Sequence, residues 1–126
     1  MSFSNYLETE LLDHVFAGNA YTSPSSVYVG LFTSSPTDAD SGTEVSGGSY
    51  VRKVGSFTVS GNTATTSGAI EWPTATASWG TITHIGIYDA SSAGNLLAWA
   101  ALTASKTIAS GDVFRIPAGD IDITLD

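Results

Sequence analysis

The chain contains no cysteine, so it can form neither a disulfide nor a thiolate metal site, and the redox compartment is left open. Two histidines, His14 and His84, are too few for a three-histidine zinc site. Charge is scarce as well: 13% of the 126 residues are charged, where globular domains carry about a quarter. The formal net charge is −8, and the basic residues are Arg52, Lys53, Lys106 and Arg115. A surface that tracks phosphates needs clustered cations, so nucleic acid is a poor partner, and an anionic membrane is disfavoured on the same ground. No apolar run approaches the roughly 20 residues of a membrane-spanning helix. No basic segment followed by an apolar stretch opens the chain, so no secretory leader is expected and synthesis is placed in the cytoplasm.

Ser, Thr, Ala and Gly dominate what is there, a mixture that suits strands and tight turns more than surface helices. The length predicts a single domain over residues 1–126. The chain centres on Trp79 to Leu102. Thr81–Tyr88 and Asn95–Leu102 read as two strands joined by the turn Asp89–Gly94. Apolar side chains on both faces predict a hairpin covered from both sides, with Ile85 and Ile87 on one face and Ile82, His84 and Tyr88 on the other. In the second strand Leu97 and Trp99 share a face, and Leu96, Ala98, Ala100 and Leu102 share the opposite one.

Residues 3–17 predict a helix. Phe3, Leu7, Leu11, Leu12, Val15 and Phe16 recur at spacings of three and four. Asn5 with Glu8, or Ser2 or Ser4, would cap it, and Gly18 would end it. So apolar a stripe must lie on a sheet or on a copy of itself. The remainder, 27–126, reads as short strands: Val27–Thr33, Tyr50–Ser60 with a bend at Gly55, Asn62–Trp72, Asp112–Ile116 and Asp120–Asp126. Ala104–Gly111 is an edge strand or turn. In the last strand Ile121, Ile123 and Leu125 alternate inward against Asp120, Asp122, Thr124 and Asp126. The fold class expected is all-β, an antiparallel β-sandwich or jelly-roll-like, with one N-terminal amphipathic helix. The long loop Ser34–Ser49 is the candidate for a partner-facing arm.

No constellation carries chemistry. His84 lacks the neighbours of a triad, and no G-x-S-x-G elbow is present. Asp38, Asp40, Gly42 and Glu44 faintly match a calcium loop, but the twelve-residue pattern is missing, so a solvated acidic loop is the reading. The ladder Asp120, Asp122 and Asp126 reads as solvent-exposed or paired with a cationic partner. Trp72, Trp79 and Trp99, with Tyr50 and Tyr88, could stack on a sugar; in so small a β fold they read as core or interface anchors. Gly47–Gly48 reads as a hinge. No catalytic, cofactor-binding or metal residue is assigned. The interface candidates are Phe3, Tyr6, Leu7 and Leu11 near the N-terminus, Asp38, Asp40 and Glu44 in the long loop, Tyr50 and Arg52 after it, and Asp122 and Asp126 at the C-terminal edge.

The segments SFSNYLETELLDHVF, VYVGLFTSSPTD, GGSYVRK, WPTATASWGTITHIGIYDA and NLLAWAALTASKTIASGD, in that order and over nearly the whole chain, carry a resemblance. They resemble small virion proteins of tailed bacteriophages commonly labelled tail fibre proteins, and are similar to capsid cement or decoration subunits. The resemblance implies a non-enzymatic part of the virion with no enzymatic residues to carry over and no cofactor. Its partners would be other virion proteins, together with copies of itself in a symmetric homo-oligomer, with a trimer favoured. The leading expectation is a decoration subunit that binds the major capsid protein and stabilises the head shell through inter-subunit contacts. The alternative is a tail fibre or baseplate component, bound to tail proteins and involved in host receptor binding.

Overall fold

The computed structural model describes residues 1–125. Its elements are β1 (Ser2–Phe3), α1 (Asn5–Phe16), β2 (Val27–Phe32), β3 (Lys53–Gly55), β4 (Phe57–Ser60), β5 (Thr63–Thr66), β6 (Ile70–Glu71), β7 (Gly80–Tyr88), β8 (Leu96–Ile108), β9 (Arg115–Ile116) and β10 (Asp122–Thr124). Asp126 lies outside the described residues.

The hairpin β7–β8 is central. It sits in a five-stranded sheet of order β1-β8-β7-β2-β3, with β10-β5-β4 as a second sheet and β6-β9 as a third. All pairings are antiparallel. The core lies between the large sheet and the small ones. Val29, Leu31, Ile82, Ile85 and Ile87 meet Ile70 and Ile116 across the layer, with Trp72, Trp79 and Phe114 filling the corners. The molecule is an all-β, sandwich-like fold with one short N-terminal helix. The bend expected at Gly55 is the corner where the chain leaves the first sheet for the second, between β3 and β4. Gly61, at φ +60°, makes the two-residue turn from β4 to β5.

Both faces of the hairpin are covered, as its apolar residues predict, but the faces differ from simple alternation. Ile82 belongs to the same core as Ile85 and Ile87, and Leu96 packs with Phe32 and Tyr88 on the other face. Two register shifts cause this. Tyr88 pairs with Leu96 but Ile87 with Ala98, so Leu97 is an extra residue that turns Leu96 over. Ile82 pairs with Lys106 but His84 with Ala101, so Thr83 alone spans the gap that residues 102–105 occupy on β8. A period-two reading cannot see a bulge, because each one reverses the faces beyond it. The same bulge lets β8 continue to Ile108 through the stretch expected to be a separate edge strand.

Other boundaries move for related reasons. The strand expected over 62–72 is two, β5 and β6, in different sheets. β9 covers only the end of 112–116. Ile121 is buried and Ile123 half-buried, but Leu125 is exposed, so the inward alternation of the last strand stops before it.

Phe3 is not helical. It pairs with Ala98 at the sheet edge in β1, and Ser4 then starts α1. Ser4 Oγ accepts from Leu7 N–H at 3.1 Å and donates to the Leu96 carbonyl, which fixes the helix N-terminus to β8. Gly18, at φ +76°, follows the last turn as expected.

Gly30 and Gly86 face each other across β2 and β7 on the face away from the main core. Together they make a trough. A Cβ at Gly86 would lie 2.9 Å from Phe32 and 3.0 Å from Leu96, and one at Gly30 would lie 2.7 Å from Glu44 Oε2. Gly86→Ala is therefore expected to lower stability by about 1–3 kcal/mol through overpacking. A thermal melt unchanged from wild type would contradict this packing.

Candidate functional site

The trough holds a connected polar assembly, and Arg52 is at its centre. Arg52 reaches it from the residue before β3. Its Nε–H and one terminal nitrogen donate to both oxygens of Glu44 at 2.8 Å each. The other terminal nitrogen donates to the carbonyls of Ala90 at 3.0 Å and Ala93 at 2.8 Å. The guanidinium lies 3.6 Å from the centre of the Tyr88 ring. A planar fork that serves a carboxylate, two carbonyls and an aromatic face is a task for arginine and not lysine. The Arg52 side chain is 8% exposed and that of Glu44 23%.

Two tyrosines extend the cluster. Tyr50 donates to Glu44 Oε2 at 2.6 Å and accepts from the Leu31 N–H at 2.9 Å. Tyr88 donates to Asp40 at 2.6 Å and stacks on Phe32. Burial raises both phenols above their ordinary value, and the bonds to Glu44 and Asp40 raise them further. A second anchor lies beside the first. Asp38 accepts from Trp99 Nε1 at 2.8 Å and from Ser2 Oγ at 3.0 Å, while its carbonyl accepts from Asn5 N–H.

The Ser34–Ser49 segment is thus not a projecting arm. Its three acids, Asp38, Asp40 and Glu44, bond to Trp99, Tyr88 and Arg52 respectively; Asp38 and Glu44 are half-buried, and Asp40 stays exposed while holding Tyr88. Val45 is buried, and its N–H donates to the Leu31 carbonyl. The acids bond to separate partners and do not converge, so they make no calcium cage. Among the described residues no group of three or more His, Cys, Asp or Glu is placed to hold a metal. Gly47–Gly48 is not a free hinge either: the Gly48 carbonyl accepts from Trp79 Nε1 at 2.9 Å and from Thr76 N–H at 3.1 Å.

The remaining candidates scatter. Trp72 and Trp79 are core residues and Trp99 is half-buried, so the three indoles form no stacking platform. His84 Nδ1 is 2.7 Å from Thr83 Oγ1 and its ring is tilted against Trp99. Tyr6, Leu7 and Leu11 are half-buried on α1. Asp122 is exposed on β10 and accepts from Thr65 Oγ1 at 2.6 Å. The Asp126 candidate lies outside the described residues.

The surface is marked by apolar exposure. No residue of α1 is fully buried. Leu12, Val15 and Phe16, its outer residues, are open to solvent, although the stripe predicts a covered helix. Two grooves flank the large sheet. One, about 300 Å³, lies under the β8 bulge against the Phe114–Asp122 segment. The other, about 360 Å³, lies between the start of α1, Asp38–Asp40 and Gly94–Leu96. The sequence reading missed the first groove because it depends on the bulge register.

Compared with known protein families, residues 2–124 match the family described as Podophage GP4 fiber I protein gp80. Among curated proteins none matches the chain.

Arg52→Met would leave the Glu44 carboxylate without its partner in the trough. A loss of roughly 3 kcal/mol is expected in urea unfolding, only partly recovered by Arg52→Lys. A change within about 0.5 kcal/mol, the range of an ordinary surface substitution, would contradict the anchoring role. The tyrosines make a second prediction. Their pKa values are raised in the fold, so their stabilisation is whole below the ordinary value of 10.0 and declines as pH rises above it, because unfolded phenols ionise first. Stability should fall above pH 10, and Tyr88→Phe should make that fall shallower. An unchanged slope would contradict the assignment.

Proposed function

We propose that this chain, which belongs to the podophage GP4 fiber I protein gp80 family, is a non-enzymatic connecting part of a podophage tail fibre. The observation that carries the reading is the family match from residue 2 to residue 124, which covers both the helix and the sandwich. The geometry supports a connecting role. The polar side chains of the trough are spent on holding the chain to itself, and α1, docked through Tyr6, Leu7 and Leu11, leaves Leu12, Val15 and Phe16 open. Such a molecule acts by adding buried area between subunits, which favours the assembled state.

The partners in this reading are tail proteins. Contacts are placed on the outer face of α1, with Leu7 and Leu11 at its inner margin, and at the Asp122 edge. Direct stacking on a host sugar is not assigned, because the tryptophans are in or against the core. The head-shell decoration expected from the sequence gains no support from the family match, and the fibre reading takes its place.

An antibody raised against the chain, bound to intact particles and imaged by electron microscopy, tests this. Label at the tail fibres is expected. Label over the head shell, with none at the tail, would overturn the proposal and restore the decoration reading.

A further inference from the structure

We infer that the outer face of α1 on one copy docks into the groove beneath the β8 bulge of a second copy, with Phe16 as the inserted side chain. The inference stands on surface chemistry and does not require the fibre reading.

The helix supplies one half. Leu12, Val15 and Phe16 are 59%, 63% and 82% exposed, and positions 12, 15 and 16 lie on one face of a helix. Phe16 is the most exposed of the large apolar side chains described. Acids border the face: Glu8 and Asp13 are exposed and Glu10 is half-buried. Its one basic-capable group, His14, is turned to the Asn19 carbonyl at 3.0 Å. The knob is therefore apolar with an acidic collar.

The groove supplies the other half. Its floor is Ile85, Leu102, Phe114, Ile116 and Ile121. At about 300 Å³ it holds roughly ten waters' worth of space, enough for an aromatic ring and an aliphatic neighbour. Lys106 and Arg115, half of the chain's basic residues, stand at its rim. Neither forms an ion pair among the described residues. Asp120 and Asp122 share the rim, and Asp122 is held by Thr65. The rim is thus neutral with two available cations, on a chain whose net charge is −8. The alternative groove carries Asp38 and Asp40 and no basic residue, so it would repel the acidic collar.

Within one copy no residue of α1 lines this groove. α1 springs from Ser4, tied to Leu96 and beside Asp38. Leu96 packs with Phe32 and Tyr88, whereas the groove opens on the Ile85 and Ala100 side of the same sheet. Helix face and groove are therefore separate patches, and the contact between copies joins unlike surfaces.

The test uses the full chain and sedimentation equilibrium. Wild type is expected to self-associate as concentration rises. Phe16→Ser and the double variant Lys106→Glu/Arg115→Glu should each weaken association at least tenfold. All three positions are exposed, so folding should persist, and circular dichroism checks it; Leu12→Ser is the second helix-face variant. The deciding step is mixing. The Phe16→Ser chain keeps a good groove and the double variant keeps a good helix, so the mixture should form a 1:1 dimer and stop there. A monomeric wild type would overturn the inference, whether the groove then takes another virion protein or nothing. So would a double variant that associates like wild type, since that would place helix against helix. A mixture that stays monomeric would also overturn it.

Discussion

A guanidinium lodged between a carboxylate and a tyrosine ring holds this molecule in its shape. Arg52 is fixed by Glu44 from one side, by Tyr88 beneath, and by the carbonyls of the β7–β8 turn from the other. It joins the long 34–49 segment, the central hairpin and the start of β3 at one point. Four of its five N–H groups are satisfied there, which a buried cation requires. The paired glycines of β2 and β7 make the space: a side chain at Gly30 would occupy the position of the Glu44 carboxylate. The absence of two side chains is thus as much a part of this anchor as the charges are.

With Arg52, Glu44 and the two tyrosines committed to the trough, the surface is left with few basic residues and several open apolar ones. This follows from the composition. A chain with four basic residues cannot spread cations around its surface, and it uses one to tie its longest loop down and two at the rim of a single groove. A body built this way has few basic side chains to desolvate on contact. A surface of that kind suits a subunit that spends its life beside other subunits, and membership of a phage fibre family agrees with it.

Much of this was legible in the sequence. The central hairpin, the helix with Gly18 as its stop and Ser4 among three candidate caps, the corner at Gly55 and the β-sandwich class follow from periodicity and turn chemistry alone. What was not legible has identifiable causes. The faces of Ile82 and Leu96 depend on bulges, which are set by pairing partners distant in sequence. The groove beneath 102–105 arises from one of those bulges, so LTASKT shows no sign of it. The loop acids looked solvated because their partners, Trp99, Tyr88 and Arg52, lie 8 to 61 residues away. The open face of α1 is a different case. Its stripe is clear, but a stripe states that cover is needed and not which molecule gives it.

Hydrogen exchange at single-residue resolution tests the account most directly, because it asks whether residues 34–52 belong to the sheet. The account predicts that the amides of Leu31 and Val45, which bond to Tyr50 Oη and to the Leu31 carbonyl, exchange only with global unfolding, as slowly as the centre of β7. Rapid exchange at Val45 while β7 stays protected would show that the segment lifts from the trough. The loop acids would then be free for a partner, and the anchored-body account would be wrong.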